Sequence, residues 1–512
     1  MKGNTFAIRA ISLLIVGLMI AMSAAATPET SESKEIETNI SWNIAEEQTI
    51  TKQADFVKPA MIKETPENAL PIPLFEGMHP AIAASGSSIM LGLDDIDMQG
   101  TWFSASSDAG ETWTDAGGWE FGQTEYASID HWAGTRYVGT MTPDFSTSGQ
   151  VILCDFVDAT DTNTWLGAAW DWESYNFYDF FDIQFAAGDD SMEDWRLGFW
   201  AISGYCGYDT YDLNNCPLVQ YPTGPDYATI SWYIVEGCTR PASDVDKVAG
   251  QHYAIWQMYN ASTGLNDIFI RIDNTDYNPD SGTDSIGGMI TTGINNENMD
   301  ICANDDNVII VTESDGTIFA YYSLDGFDSF EAVEIDQGAN PRITETEDGA
   351  IVTFVKGGML YSTTSSNGGA SWGSPTQLSE GSVYDDYHEA DISEAGAVYT
   401  GTDDIIYFEP GVGGARPIIT IGEISGGVGV TVEVENIGDA DAEDVPYTLT
   451  ATGGLLGMIN KQAEGTISVA AGSSTSVSLP MIIGLGAVTI EVSVESASET
   501  VEGTQILFFT SI

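Results

Sequence analysis

One eight-residue stretch recurs along the chain, and it limits the fold more than any other feature. Residues 106–113 read SSDAGETW and residues 365–372 read SSNGGASW, with the same residue types at the same spacing. A third copy, SLDGFDSF, spans residues 323–330. An Asp or Asn side chain accepts backbone N–H groups across a tight turn, and glycine takes the φ that other residues resist. The closing aromatic then packs back onto neighbouring strands. Ser106, Asp108, Gly110, Thr112, Trp113, Ser323, Asp325, Ser365, Asn367, Gly369, Ser371 and Trp372 are therefore read as structural.

A longer period surrounds these turns. HPAIAASGSSIMLGL from His79, DICANDDNVIIVTES from Asp300, NPRITETEDGAIVTFVKGG from Asn340 and HEADISEAGAVYTGTDDIIYF from His388 share one pattern. Each is an apolar strand, a turn rich in Gly, Asp or Asn, then a second strand. Fainter starts fall near Ser128, Asp182 and Val245. About seven starts, spaced by roughly 40 to 60 residues, fit the four-stranded blades of an all-β propeller. Seven blades are favoured over residues 67–412. Six is the alternative, because residues 227–292 are irregular. NISWNI, within a polar linker at 27–66, is a candidate closing strand. No tryptophan follows Trp372. Short alternating strands from residue 417 to 512 read instead as a β-sandwich.

The repeated turn, Ser-x-Asp-x-Gly-x-Thr-Trp, resembles the Asp-box of the BNR, or sialidase-like, β-propellers. VTVEVENIGDADAEDVPYTLTATGG, within 417–512, is similar to CARDB-type immunoglobulin-like modules of prokaryotic surface proteins. The first resemblance implies a structural Asp-box and a functional channel mouth. A sialidase uses a Tyr nucleophile, a Glu that activates it, an Asp acid/base and three arginines. Tyr387 and Glu389, in YDDYHEADI, are the right types. The family's first-blade Arg-Ile-Pro is replaced by Met78-His79-Pro80-Ala81-Ile82. Arg136, Arg196, Arg240, Arg271 and Arg342 are the propeller's arginines, and Arg342 is best placed on a repeat start. Arg342, His79 and His388 are the substrate-binding candidates.

The residues suggest a site by themselves too. Asp-Ile pairs open three repeats, at Asp182, Asp300 and Asp391, with Asp130 near the matching point of another. Carboxylates converging on a channel would suit calcium, or would supply an acid and a base. The alternative is that each Asp bonds backbone within its own blade. His79, His131, His252 and His388 are the only histidines. The dense aromatic residues from Trp165 to Trp200 read as packing between blades, or as rings for stacking sugars.

Charge sets the partners. Fifteen basic against 77 acidic residues give a net charge of −62, a surface that repels nucleic acid and anionic membranes. Lys2 and Arg9, the apolar run from Ile11 to Ile20, and Ala24 to Ala26 form a signal peptide over residues 1–26, cleaved near Ala26. No later run is long and apolar enough to cross a bilayer. Cys206 and Cys216 flank a short loop and form the expected disulfide among five cysteines. The expected protein is secreted or surface-exposed and binds a glycan or a cell-surface protein. The alternative is a glycoside hydrolase using Asp182, Asp300, Tyr387, Glu389 or Asp391.

Overall fold

The computed structural model describes residues 59–62, 71–96, 100–119, 124–133, 135–143, 149–188, 198–207, 210–224, 227–274, 285–346, 349–412, 419–436, 442–494 and 497–512. The expected signal peptide, NISWNI, Trp195 and Arg196 lie outside them. Among the described residues, regular structure is strand apart from three single 3-10 turns.

Seven small antiparallel sheets follow one another along the chain, each a meander whose strands pair in sequence order. Their first, innermost strands are Met78–Ser85, Thr124–Ala133, Phe177–Ala187, Cys238–Asp246, Glu297–Asn304, Ala339–Thr346 and Ala390–Ser393. They are numbered here sheets 1 to 7. Sheet 1 has three strands, extended by a bridge from Phe103 to Gly117. Sheet 7 takes its fourth strand from the other end of the series: Ile72–Glu76 pairs with Ile405–Pro410. Successive meanders closed by an early strand define a β-propeller. The irregular region after Tyr227 holds the outer strand Tyr227–Trp232 of sheet 3 and all of sheet 4.

Sequence explains the layering. Second strands such as Ser88–Asp94 and Gly349–Lys356 are buried along almost their whole length. A strand covered on both faces reads as a continuous apolar run, as in SIMLGL and AIVTFV. Outer strands such as Thr317–Ser323 alternate more. The cores lie between neighbouring sheets. Ile309, Val311 and Ile318 of sheet 5 pack on Ile343, Val352 and Phe354 of sheet 6. Trp170 and Trp172 of the aromatic segment pack with Phe185 and Trp200 between sheets 2 and 3.

Each copy of the repeated turn closes on itself. Asp325 accepts from Ser329 N at 2.9 Å and Ser329 Oγ at 2.7 Å, and Ser323 Oγ accepts from Phe327 N at 2.9 Å. The same bonds link Asp108 to Thr112 N and Asn367 to Ser371 N, at 2.8 and 3.0 Å. The residues between them take left-handed φ, such as Gly369 at 89°. Trp113 donates its indole N–H to the Gly110 carbonyl at 3.1 Å.

The expected disulfide is absent. Cys206 and Cys216 lie beside each other on strands Gly198–Cys206 and Leu213–Gly224, but all five cysteines are buried as unbridged thiols. Their register is offset: Gly204 opposes Cys216 and Cys206 opposes Leu213. Burial, then the neighbouring Cys206, push the Cys216 thiol well up.

The chain divides into two compact units, the second comprising residues 84–89, 105–114 and 413–512. Its strands from Ile419 onward form one eight-stranded sheet that folds over its own core. Val430, Val432 and Val434 meet Leu449, Val488, Ile490 and Val492 inside it.

Candidate functional site

The inner strands share a local irregularity. Tyr126, Asp182, Arg240, Asn298 and Asn340 each fall at a register shift between the inner strand and its neighbour. All have left-handed φ, between 48° and 54°, and His79 has 49°. A β-bulge with a non-glycine residue in this region re-aims a side chain at a cost of order 1–3 kcal/mol. Six such residues on six neighbouring inner strands form one repeated device. Neighbouring sheets hold the strained peptides. Asp94 accepts the Tyr126 N–H at 3.0 Å, Gln257 that of Asn298 at 3.0 Å, and Glu313 that of Asn340 at 3.1 Å. Glu389 accepts that of His79 at 3.2 Å.

Sheet 7 departs from the pattern. There the segment Tyr384–Glu389 reaches across to the other sheets. Tyr387 donates its hydroxyl to the Met299 carbonyl of sheet 5 at 2.8 Å. Arg342 of sheet 6 lies over the Tyr387 ring at 3.8 Å, and Arg240 of sheet 4 lies 5.2 Å from it. The His388 ring stacks on Tyr126 of sheet 2 at 3.9 Å, and its Nε2 lies 3.2 Å from Asp182 of sheet 3 and 3.0 Å from Arg240. His79 of sheet 1 stands between Asp94, 2.9 Å away, and Glu389, 3.4 Å away. On the remaining side, Asn298 donates to Asn340 at 2.7 Å, and Asn340 donates to Asp385 at 2.9 Å. The bulge residues and this segment form one connected cluster drawing on all seven sheets.

The charges in the cluster are set by these contacts. Burial works against the Asp182 carboxylate, but His388, Arg240 and Arg342 outweigh it and hold its pKa below the usual range. Burial outweighs Asp182 at His388 and pulls the imidazole down to about 4. At His79 the order reverses: burial opposes the charge, but Asp94, Glu389 and Glu125 raise the pKa. Burial pushes the Tyr387 phenol up to about 12, with Asp300 adding and Arg342 opposing. Arg342 itself is spent on the backbone, donating to the carbonyls of Tyr387 at 2.8 Å and Ala390 at 3.2 Å. The Tyr387 hydroxyl is bonded to a backbone carbonyl, and two of the five Arg342 N–H groups are spent on backbone carbonyls.

The Asp-Ile residues have two different placements. Asp182 is a bulge residue in the cluster. Asp300 lies two residues past the bulge residue Asn298, and Asp391 lies on Ala390–Ser393, which pairs with Gly396–Thr400 without a register shift. Asp300 accepts Ile343 N–H from the next sheet, and Asp391 accepts Ile82 N–H, both at 2.9 Å. Deeper still, Asp130 accepts Ala187 N–H and Asp244 accepts Ala303 N–H, both at 2.7 Å. The carboxylates staple neighbouring inner strands together, and Asp130 and Asp244 also bond within their own blades, accepting the N–H of His131 at 2.7 Å and of Val245 at 2.8 Å. Burial raises the pKa of Asp300 to about 6 and also raises that of Asp391. Among the described residues, no group of three or more His, Cys, Asp or Glu is arranged to hold a metal ion such as calcium.

The structure brings His79, Asp182, Arg342, Tyr387, His388 and Glu389 together. It leaves His131 and His252 outside the cluster. His252 is buried against Phe199. Arg136 and Arg271 pair bidentately with Asp155 and Asp273 within their own sheets. Tyr126, Arg240, Asn298 and Asn340 complete the cluster without having been singled out by sequence. A signal was available for two of them. Arg240 and Asn340, like His79, stand immediately before a proline at a repeat start.

The fold and cluster define the class: an all-β propeller with a polar assembly at one end of its inner strands. No family model and no curated protein matches the chain. Among solved structures, a sialidase from Trypanosoma rangeli is similar at 11% identity, over 91% of each chain, with a TM-score of 0.34. The fucose-specific lectin of Aleuria aurantia is similar at 10% identity, over 78% of this chain and 97% of that one, with a TM-score of 0.32. PorZ, a surface component of the type-IX secretion system of Porphyromonas gingivalis, is similar at 10% identity, over 84% and 70%, with a TM-score of 0.32. At such values the functional reading rests on the cluster's own geometry.

Proposed function

We propose that this is an exported surface protein with a seven-bladed, sialidase-like propeller that binds a glycan or a cell-surface protein at the bulge cluster. Its tail is a CARDB-like immunoglobulin-type sandwich, and residues 1–26 are its signal peptide. One observation carries the binding reading: Tyr384–Glu389 makes contacts in every direction across the ends of the inner strands. That leaves a rim of half-buried polar groups, Tyr126, Asp182, Arg240 and Asn298. Such a rim offers donors, acceptors and one ring edge, which suits a polyhydroxylated ligand.

The hydrolase reading keeps one support. Asp182 is held low while His79 is raised in the same cluster, and groups pushed apart in this way serve as acid–base pairs.

One experiment separates the two. The purified chain is incubated with a glycan array, and both retention and bond cleavage are scored. The binding reading expects retention without cleavage, weakened at least tenfold by Arg240→Ala. Cleavage lost in Asp182→Asn and Glu389→Gln would establish the hydrolase instead. Neither retention nor cleavage would remove the glycan reading and leave a protein ligand.

A further inference from the structure

Turns of a soluble sandwich are ordinarily polar, but those at one end of the C-terminal sheet are not. Strand Ile419–Gly427 begins at the opposite end and finishes at this one, in the turn Gly427–Gly429 that carries Val428. Beside it lie the turn after Ala442–Gly453, the connection from Pro480 to Gly484, and the turn between Ala497–Leu507 and Phe509–Ser511. Register brings them together: Gly429 opposes Pro480, Gly484 opposes Leu507, and Ile506 opposes Phe509. Their tips present Leu455, Met458, Met481, Ile483, Leu507 and Phe508, between 46% and 75% exposed. Contiguous exposed apolar groups of this size mark an interaction site.

Two further observations say what the site meets. First, residues 426–430, 453–460, 480–488 and 505–509 contain no Asp or Glu, in a chain with 77. Second, four of the tip's backbone carbonyls are bonded by side chains of the same sandwich. Lys461 Nζ donates to the carbonyls of Pro480 and Met481. The buried Gln505 amide donates to those of Ile482 at 2.9 Å and Leu507 at 3.2 Å. A protein surface that faces water has no need of this. A surface that enters a hydrocarbon phase does, because there an unbonded carbonyl has no water to turn to.

We infer that this end of the C-terminal sandwich inserts its turns into the interface of a lipid bilayer. The acid-free tip is the part of the second unit that a bilayer would not repel. A second copy fits less well, since each copy carries a net charge of −62 and repels its like. The insertion is of the monotopic kind, driven by the apolar side chains and needing no spanning segment.

The full chain is floated with zwitterionic phosphatidylcholine vesicles at high salt. Co-flotation is expected, reduced at least tenfold by Ile483→Ser with Phe508→Ser. Phe508→Trp tests insertion without removing the apolar surface: the emission it adds to the parent's shifts to the blue on adding vesicles and is quenched by brominated acyl chains. A chain that stays at the bottom of the gradient, or an added indole emission unmoved by vesicles, would overturn the inference. So would dimers in lipid-free sedimentation that the double substitution dissolves, which would assign the surface to a second copy.

Discussion

The staple carboxylate Asp300 gives a quantitative test. It accepts the Ile343 N–H at 2.9 Å, and burial raises its pKa from 3.8 to about 6, Arg342 opposing and Asp391 adding. Two units at about 1.4 kcal/mol each make the charged form on the order of 3 kcal/mol costlier in the fold than the neutral one. Partial access of water to the carboxylate trims this to about 2 kcal/mol. Between pH 4 and 6 the folded protein keeps a proton that the unfolded chain has lost. Asp300 therefore withdraws stability as pH rises through that window, and contributes no change below it. Asp300→Asn mimics the neutral acid at every pH and is free of that loss. Relative to the parent, its stability is expected to rise by about 2 kcal/mol between pH 3.5 and pH 7. Urea unfolding followed by tryptophan emission measures this, and no tryptophan lies beyond Trp372 to mix in the later strands. A stability difference that is the same at both pH values, or that falls, would refute the argument.

Three other outcomes follow from particular residues. Gly396 has φ of 153°, and a Cβ there would stand 2.2 Å from the Glu409 carbonyl oxygen. Gly396→Ala should cost about 2 kcal/mol or more by urea unfolding, whereas Gly381→Ala, with open space around it, stays within about 0.5 kcal/mol. Asp325→Ala removes three bonds from one repeated turn, from Ser323 Oγ, Ser329 N and Ser329 Oγ, and should cost about 1 kcal/mol at neutral pH. Hydrogen bonding from Ser329 and Ser323 outweighs burial and lowers the Asp325 pKa, so the parent's advantage fades as pH falls through that lowered value. Thiol titration in urea without reductant should count five thiols per chain, and a count of three would mean that Cys206 and Cys216 are joined after all.

Much of the architecture could be read from local chemistry. The repeated turn uses hydrogen bonds within eight residues, so its sequence carries the whole instruction. The apolar second strands likewise announce burial on both faces. The cluster was harder. Asp182, Asp300 and Asp391 look alike in sequence because each precedes Ile, but Asp182 occupies a bulge, Asp300 lies past one, and the strand of Asp391 has none. Periodicity cannot register a one-residue bulge, which moves every later side chain to the other face of the strand. Tyr126 and Asn298 carry no proline after them, and nothing local marks them. The staples depend on a partner in the next sheet, between 40 and 60 residues away in sequence for Asp300 and Asp130, and 309 residues away for Asp391. The carbonyl-capping roles of Lys461 and Gln505 are similarly invisible until the turns come together.

The pairing of Glu76 with Ile405 imposes an order on biogenesis. The strand Ile72–Glu76 is made before any of the sheets, yet its partner Ile405–Pro410 is made after nearly all of them. At about 5–20 residues per second it must wait on the order of tens of seconds with its edge open. An unpaired edge of this kind recruits other chains. The dense negative charge of the nascent polypeptide acts against that during the wait, as an intramolecular chaperone would. A chain relieved of that charge would face its greatest risk before the ring shuts, and its finished form could be as stable as ever.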